Sequence, residues 1–422
     1  MSESLGIDKA ALRAGRRATL DQAPRLYDNE VDEMERFQNR RALIAGGGAA
    51  AAVIVVVAIV STLLLTSQPS PTGSPSAAAS ATGAANVAVV SPTAVESPST
   101  SASPSASPFA SPTELFLPDV ADLDGLNVAA DHAHRIPVAV MLDDNAAARP
   151  QSGMSAASIV YQAPADGGEV RYMLMFQEGD AKDVGPVRST RFYYARWASE
   201  YHSILGHYGG DWKTIKLVIP PLVKQGVLWD MDALKGGSCP YHRISTRPMP
   251  FNAYTNTAAL RACVAKKGYP QTVRYIPHRP FSDDLPADQR PTSGSITIPY
   301  HRQTIGYVYD PTSNAYLRST DGKPEIDAGN GQRITARDVV VLFQTLGVDP
   351  QPGHLRPVVG QIGSGKAIVF RDGKAIVGIW TKNTETDLTR FFDASGTEIP
   401  LARGHIFIQV VAVGTKVTYK AG

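Results

Sequence analysis

Apolar residues run without a charge from Ala42 to Thr66. About 20 helical residues cross the hydrocarbon core of a bilayer, so the run predicts a transmembrane helix. A cleavable signal has an apolar stretch of about 7–15 residues behind a short charged start. Here residues 1–41 precede a longer run, so an uncleaved anchor is the expectation, with cleavage near Ala77–Ala81 as the alternative. Residues 67–113 are then mostly Ser, Pro, Ala and Thr, with Glu96 their only charge. Such a segment buries too little apolar surface to offset the entropy of ordering, which predicts a proline-stiffened stalk, open to glycosylation on Ser and Thr.

Globular patterning begins near Leu115. Arg135–Leu142, Ala157–Tyr161 and Val170–Phe176 are apolar runs of strand length. Tyr194, Ala198, Tyr201 and Leu205 recur at i, i+4, i+7 and i+11, which predicts a helix over Thr190–Leu205. A second helix is expected over Asn256–Lys267, with Gly268 as its stop. From Ser293 onward the pattern is β: Ile305–Asp310, Val339–Phe343 and Ile406–Val413, plus Ala367–Phe370 and Ala375–Trp380 around the hairpin signal Asp372-Gly373. His278–Thr292, rich in Pro and Asp, reads as a linker. The expected class is α+β, with a cytoplasmic tail (1–41), the helix (42–66), the stalk (67–113), a mixed α/β domain (114–285) and a β-rich domain (293–422).

Charge sets the orientation. Lys9, Arg13, Arg16, Arg17, Arg25, Arg36, Arg40 and Arg41 precede the apolar run, and neither Lys nor Arg recurs until Arg135. The positive-inside rule therefore places the N-terminus in the cytoplasm and the folded part outside. A net charge of +2 over 422 residues gives no reason to expect a nucleic-acid partner. The two cysteines, Cys239 and Cys263, lie outside under this topology, where a disulfide between them can persist.

Candidate chemistry concentrates in a few segments. Gly185-Pro186-Val187-Arg188-Ser189-Thr190-Arg191 precedes the first expected helix. Helix starts attract anions and disfavour cations, so Arg188 and Arg191 need a reason to be there. One is an anionic ligand held in forked hydrogen bonds. The other is ion pairing with Asp143, Asp144, Asp166 or Glu169. In Asp166-Gly167-Gly168-Glu169-Val170-Arg171, paired glycines permit a tight turn and put Glu169 and Arg171 on one strand face. His207, near Asp211, is a candidate general base or a structural residue. Cys239-Pro240-Tyr241-His242 brings a thiol near an imidazole, though such partners are normally distant in sequence. No HExxH, paired CxxC, Walker-type loop or Gly-x-Ser-x-Gly elbow occurs, so neither metal nor cofactor is expected.

These segments resemble the YerB-type bacterial envelope proteins, many of which are lipoproteins. The resemblance rests on Arg135–Asp143, Ala148–Gly153, Ile159–Tyr161, Gly167-Gly168, Arg171 and Gly185–Ser189 with Arg191. It continues through Gly363–Gly373, Gly378–Lys382 and Arg390–Pro400. It implies separate N- and C-terminal domains and an envelope location, with no reaction. The chain departs from the pattern in four places. Asp143-Asp144-Asn145 stands for a usual Asp-Asn-His, Gln162 and Asp166 for usual glutamates, and Phe251 for a usual His. A helix here takes the place of the lipid anchor. The persisting arginines favour a binding module for an anionic envelope ligand or partner, using Asp143, Arg149, Arg171, Arg188, Ser189 and Arg191. The alternatives are an envelope hydrolase or transferase using Asp143, Glu169 or His207, and a protein-interaction scaffold.

Overall fold

A computed structural model describes residues 119–235, 241–271, 275–349 and 356–420. The expected tail, membrane helix and stalk lie outside these residues, and no helix among the described residues is long and apolar enough to cross a bilayer. Leu117–Gly422 form one unit.

The first half supplies strands β1 (Val138–Asp143), β2 (Ile159–Pro164), β3 (Val170–Phe176), β4 (Ser203–His207) and β5 (Leu228–Asp232). The second half supplies β6 (Ser295–Pro299), β7 (Thr304–Asp310), β8 (Ala315–Thr320), β9 (Asp338–Gln344), β10 (Gly363–Arg371), β11 (Lys374–Lys382), β12 (Arg390–Asp393), β13 (Ile406–Ala412) and β14 (Thr418–Lys420). Ten of them form one mixed sheet in the order β12-β11-β10-β9-β13-β2-β3-β1-β4-β5. The join is β13, which runs parallel to β2 on one side (Ile406 opposite Ile159) and to β9 on the other (Ile408 opposite Val340). Both halves therefore contribute to one sheet. Strands β1 and β3 are buried along their whole length, which fits the apolar runs Val138–Leu142 and Tyr172–Phe176 beside the charged Asp143 and Arg171.

Helices α1 (Phe192–Ser199) and α2 (Ile219–Lys224) cover one face of this sheet, packing on Tyr161, Met173 and Val340. Helix α3 (Thr257–Lys266) and a second sheet, built on β8-β7-β6-β14, cover the other, against Val140, Trp229 and Phe370. The result is a mixed α and β architecture with many strands and few helices.

One helix is shorter than its periodicity predicts. α1 stops at Ser199, and Ser203 begins β4, which pairs with β1. Tyr194, Ala198, Tyr201 and Leu205 do share one buried cluster. They reach it from a helix, a turn and a strand packed on the same sheet face, and that convergence imitates a single 3.6-residue stripe. His202, at φ 48°, makes the reversal. The second helix begins where expected, with the Asn256 side chain accepting from Ala259 N. The segment His278–Thr292 is packed in place. Arg279 is buried and donates to Tyr201 Oη (2.7 Å) and Thr389 O (2.9 Å), and Phe281–Ser282 pairs with Leu401–Ala402.

Candidate functional site

β1, β2, β4 and β5 all end at the same edge of the large sheet, and β3 starts there. The crevice outside the carboxyl ends of strands is where open α/β sheets bind ligands. Gly185–Arg191 is clamped across this edge. Asp143 N donates to Pro186 O (3.0 Å), Arg188 N to Met141 O (2.9 Å), Val187 N to Ala253 O (2.7 Å) and Thr190 N to Gly209 O (3.0 Å). A Cβ on Gly185 would lie 2.6 Å from the Tyr254 ring, so this segment has no room to shift. The chain enters the described unit at the opposite edge, where Leu123 N donates to Gln177 Oε1, just past the end of β3.

The arginines divide between two sides of the edge. On the α1 side, Arg171 donates to Ser189 O (2.9 Å) and lies 3.7 Å from Asp166. Arg191 grips the same Asp166 with two nitrogens and stands 3.9 Å from Asp211. Arg191 is the residue before α1, and no side chain caps that helix start. The charge of Arg356 also acts on Arg191 and Asp211. Burial lowers Arg191, and the charge of Arg356 works in the same direction against the raising effect of Asp211. Burial alone would raise Asp211, but Arg191, two bonds from Thr214 and Arg356 hold it below its ordinary value.

Arg188 takes a different direction. Its Nε sits 2.6 Å from Asp143 Oδ2, and its guanidinium lies over the Phe251 ring at 5.8 Å. Ser189 Oγ donates to Tyr208 O (2.9 Å), which fixes the loop after β4. Arg149 leaves the group altogether and pairs with Asp144 (3.0 Å) beneath the second sheet. Glu169 precedes β3 and joins Arg302 (2.8 Å), so it does not share a site with Arg171. The ion pairs that were the alternative explanation of Arg188 and Arg191 are formed with Asp143 and Asp166, whereas Asp144 pairs with Arg149 and Glu169 with Arg302.

His207 ends β4 with no exposed surface. Its Nδ1 faces Gly209 O (2.8 Å) and its Nε2 faces Asp230 Oδ1 (2.7 Å). Both neighbours accept, which favours protons on both ring nitrogens. Burial opposes that charge, but the Asp230 bond and the charges of Asp232 and Asp230 raise the ring above 6.5. With both ring nitrogens engaged by Gly209 O and Asp230, neither is turned to a substrate. Asp143, Glu169 and His207 face three different partners and do not converge on one point. No group of three or more His, Cys, Asp or Glu among the described residues is arranged to hold a metal ion. Cys263 is disulfide-bonded, and its candidate partner Cys239 lies outside the described residues.

Two features carry no motif in the sequence. The loop Tyr241–Asn252 contains His242, Arg243 and Arg247 and no acid. It lies along the same edge, with Arg247 donating to Ala148 O (2.5 Å) and Pro150 O (2.6 Å), and Arg243 to Asn252 Oδ1 (2.6 Å) and Tyr208 Oη (2.9 Å). The second is a buried polar network between the sheets. Asp144 accepts from Arg149, Gln151, Gln162 and Gln303. Burial pushes it up to about 6, with Arg149 pulling the other way. Arg318 donates to Tyr307 Oη (2.7 Å), Gln162 Oε1 (2.9 Å) and Tyr172 Oη (2.7 Å), and its Nε lies 2.8 Å from Glu325. Gln162 Nε2 donates to Asp144 Oδ2 (2.6 Å) and Gln162 Oε1 accepts from Arg318, so Gln162 joins the two halves of the network.

Comparison with known proteins agrees with this architecture. Residues 123–270 match the N-terminal domain, and residues 296–408 the C-terminal domain, of the protein family of unknown function DUF3048. The chain is 28% identical over 299 residues to a Bacillus subtilis (strain 168) protein described as lipoprotein YerB, covering 69% of this chain and 86% of that one. The crystal structure of YerB from Bacillus subtilis superposes with a TM-score of 0.62 at 25% identity, covering 71% of this chain and 99% of that one. With both domains matched in order and the shared sheet in place, the chain belongs to the YerB-like DUF3048 family.

Proposed function

We propose that this protein is a membrane-anchored, extracytoplasmic binding module for an anionic component of the cell envelope, held at the carboxyl edge beside α1. The carrying observation is the convergence of Arg171 and Arg191 on the single carboxylate Asp166 beside the start of α1, with the charge of Arg356 acting on both Arg191 and Asp211. Arg171, Arg191 and Arg356 face two acids, Asp166 and Asp211, so the locus keeps an excess positive charge beside an uncapped helix start. Asp166 and Ser189 O hold Arg171 and Arg191 in place, which lowers the ordering cost of binding. Anchoring is supported by the apolar run 42–66 and by the lipoprotein description of the relative. The hydrolase or transferase alternative gains no support from the separated positions of Asp143, Glu169 and His207.

The test is the melting temperature of the full-length chain in detergent against phosphate, sulfate, sugar phosphates and cell-wall peptide fragments. A ligand that binds only the folded state raises it by mass action. At least one anion is expected to do so, and Arg356→Gln is expected to abolish the shift without lowering the ligand-free value. No shift from any anion sinks the proposal.

A further inference from the structure

We infer that the segment from Trp212 to Lys224 is a docking face for an anionic phospholipid surface. This rests on the membrane-anchored reading and is independent of the anion site, none of whose arginines it uses.

The segment is amphipathic. A helical turn over Thr214–Val218 runs into α2, and Thr214, Val218, Ile219 and Leu222 are buried, the last three in the cluster shared with α1 and the large sheet. The positions around them face solvent, with Trp212, Lys213, Lys216, Leu217 and Lys224 all exposed. From Trp212 to Val227 the chain carries three lysines and no acid. Asp211, just before, spends its carboxylate on Thr214 N (3.0 Å) and Thr214 Oγ1 (2.6 Å). The half-buried Phe192 ring of α1 lies alongside, 5.8 Å from Lys213 Nζ.

Trp212 is 67% exposed and Leu217 55%, whereas the other three tryptophans, Trp197, Trp229 and Trp380, are buried. A merely solvated face has no use for an open indole. At a bilayer surface an indole settles at headgroup level, a leucine reaches the acyl boundary and lysines meet anionic headgroups. A protein partner fits less well, because protein interfaces are depleted in lysine. The chain also brings this face to its partner. With the run 42–66 in the bilayer, residues 67–118 span at most about 170 Å. That link keeps the folded unit near the surface without laying it there, so weak docking suffices.

The experiment reconstitutes the full-length chain, one copy per nanodisc, in phosphatidylcholine alone or in an equal mixture with phosphatidylglycerol. Retention on the discs reports anchoring. Fluorescence of the native chain minus that of Trp212→Phe reports Trp212 itself. In mixed discs Trp212 is expected to lose most of its quenching by acrylamide and to gain quenching by lipids brominated on the acyl chain. In phosphatidylcholine discs it stays open to acrylamide. Each of Lys213→Gln, Lys216→Gln and Lys224→Gln should lower the docked-to-free ratio about fivefold, as a basic residue at an anionic surface does. Trp212 open to acrylamide in both discs overturns the inference, while a retained chain leaves the anchor standing. A chain that is not retained overturns the anchored reading and the inference with it. Equal shielding in both lipids overturns the inference in favour of a contact that ignores charge. Shielding only when a disc holds several copies overturns it in favour of self-association. A triple lysine variant that melts normally and docks as before overturns it as well.

Discussion

Arg318 has no exposed surface, and its donors reach Tyr307, Gln162 and Tyr172, with Glu325 beside its Nε. Removing one partner of a buried pair strands the other charge, at a cost of about 3–5 kcal/mol. Arg318→Ala is therefore expected to lower unfolding free energy by that amount in denaturant titrations. Arg318→Met combined with Glu325→Leu should cost clearly less, because neither charge is left alone. A second residue-scale expectation concerns pH. Burial opposes ionisation of both members of the His207–Asp230 pair, yet the pair's own bond prevails and holds His207 above 6.5 and Asp230 at about 2. The His207 contribution is fully present below pH 6.5 and is lost as pH rises through the folded value. The Asp230 contribution is present above 3.8 and is lost as pH falls towards 2. Unfolding free energy measured from pH 6 to 9 should fall, and His207→Gln should flatten that slope while lowering the plateau. An unchanged slope in the variant would show that the pair is not formed.

At the scale of elements, local sequence and structure agree most closely where backbone geometry is demanding. Asp372 and Gly373 both have positive φ, 52° and 73°, as a tight turn between β10 and β11 requires. A Cβ on Gly373 would also stand 2.5 Å from Pro291 and 2.6 Å from the Tyr309 ring. Gly373→Val is expected to destabilise by about 2–4 kcal/mol, combining strain with overpacking, and a thermal melt reads it directly. Asn256→Ala removes the cap of α3 and should cost about 1 kcal/mol in the same assay. The hairpin, this cap and β3 were all legible because each depends on neighbours in sequence. The end of α1 was not, since Leu205 reaches the buried cluster from β4 and periodicity does not register a change of element.

At the scale of the molecule, β13 joins strands from both halves. Glu200 at the end of α1 meets Lys382 at the end of β11, with neither exposed. A sheet crossed in this way should unfold as one cooperative unit. A single calorimetric transition for the folded part is therefore expected, with Lys382→Met lowering its midpoint by several degrees or more, because it strands the buried Glu200 at a cost of about 3–5 kcal/mol. Two separate transitions would show that the halves fold independently.

The sequence by itself determined the strands β1 and β3, the hairpin at Asp372-Gly373, the start of α3, the apolar run at 42–66, and which arginines stand beside the start of α1. Those follow from periodicity, turn chemistry and charge, all of them short-range along the chain. Tertiary structure alone decided where each arginine points. It sent Arg149 to Asp144, divided Arg188 from Arg191, and brought Arg247 to the edge from a loop with no motif. It also closed His207 between two acceptors. A guanidinium's partner depends on distances across the fold, and those exist only once the sheet has brought residues from both halves together.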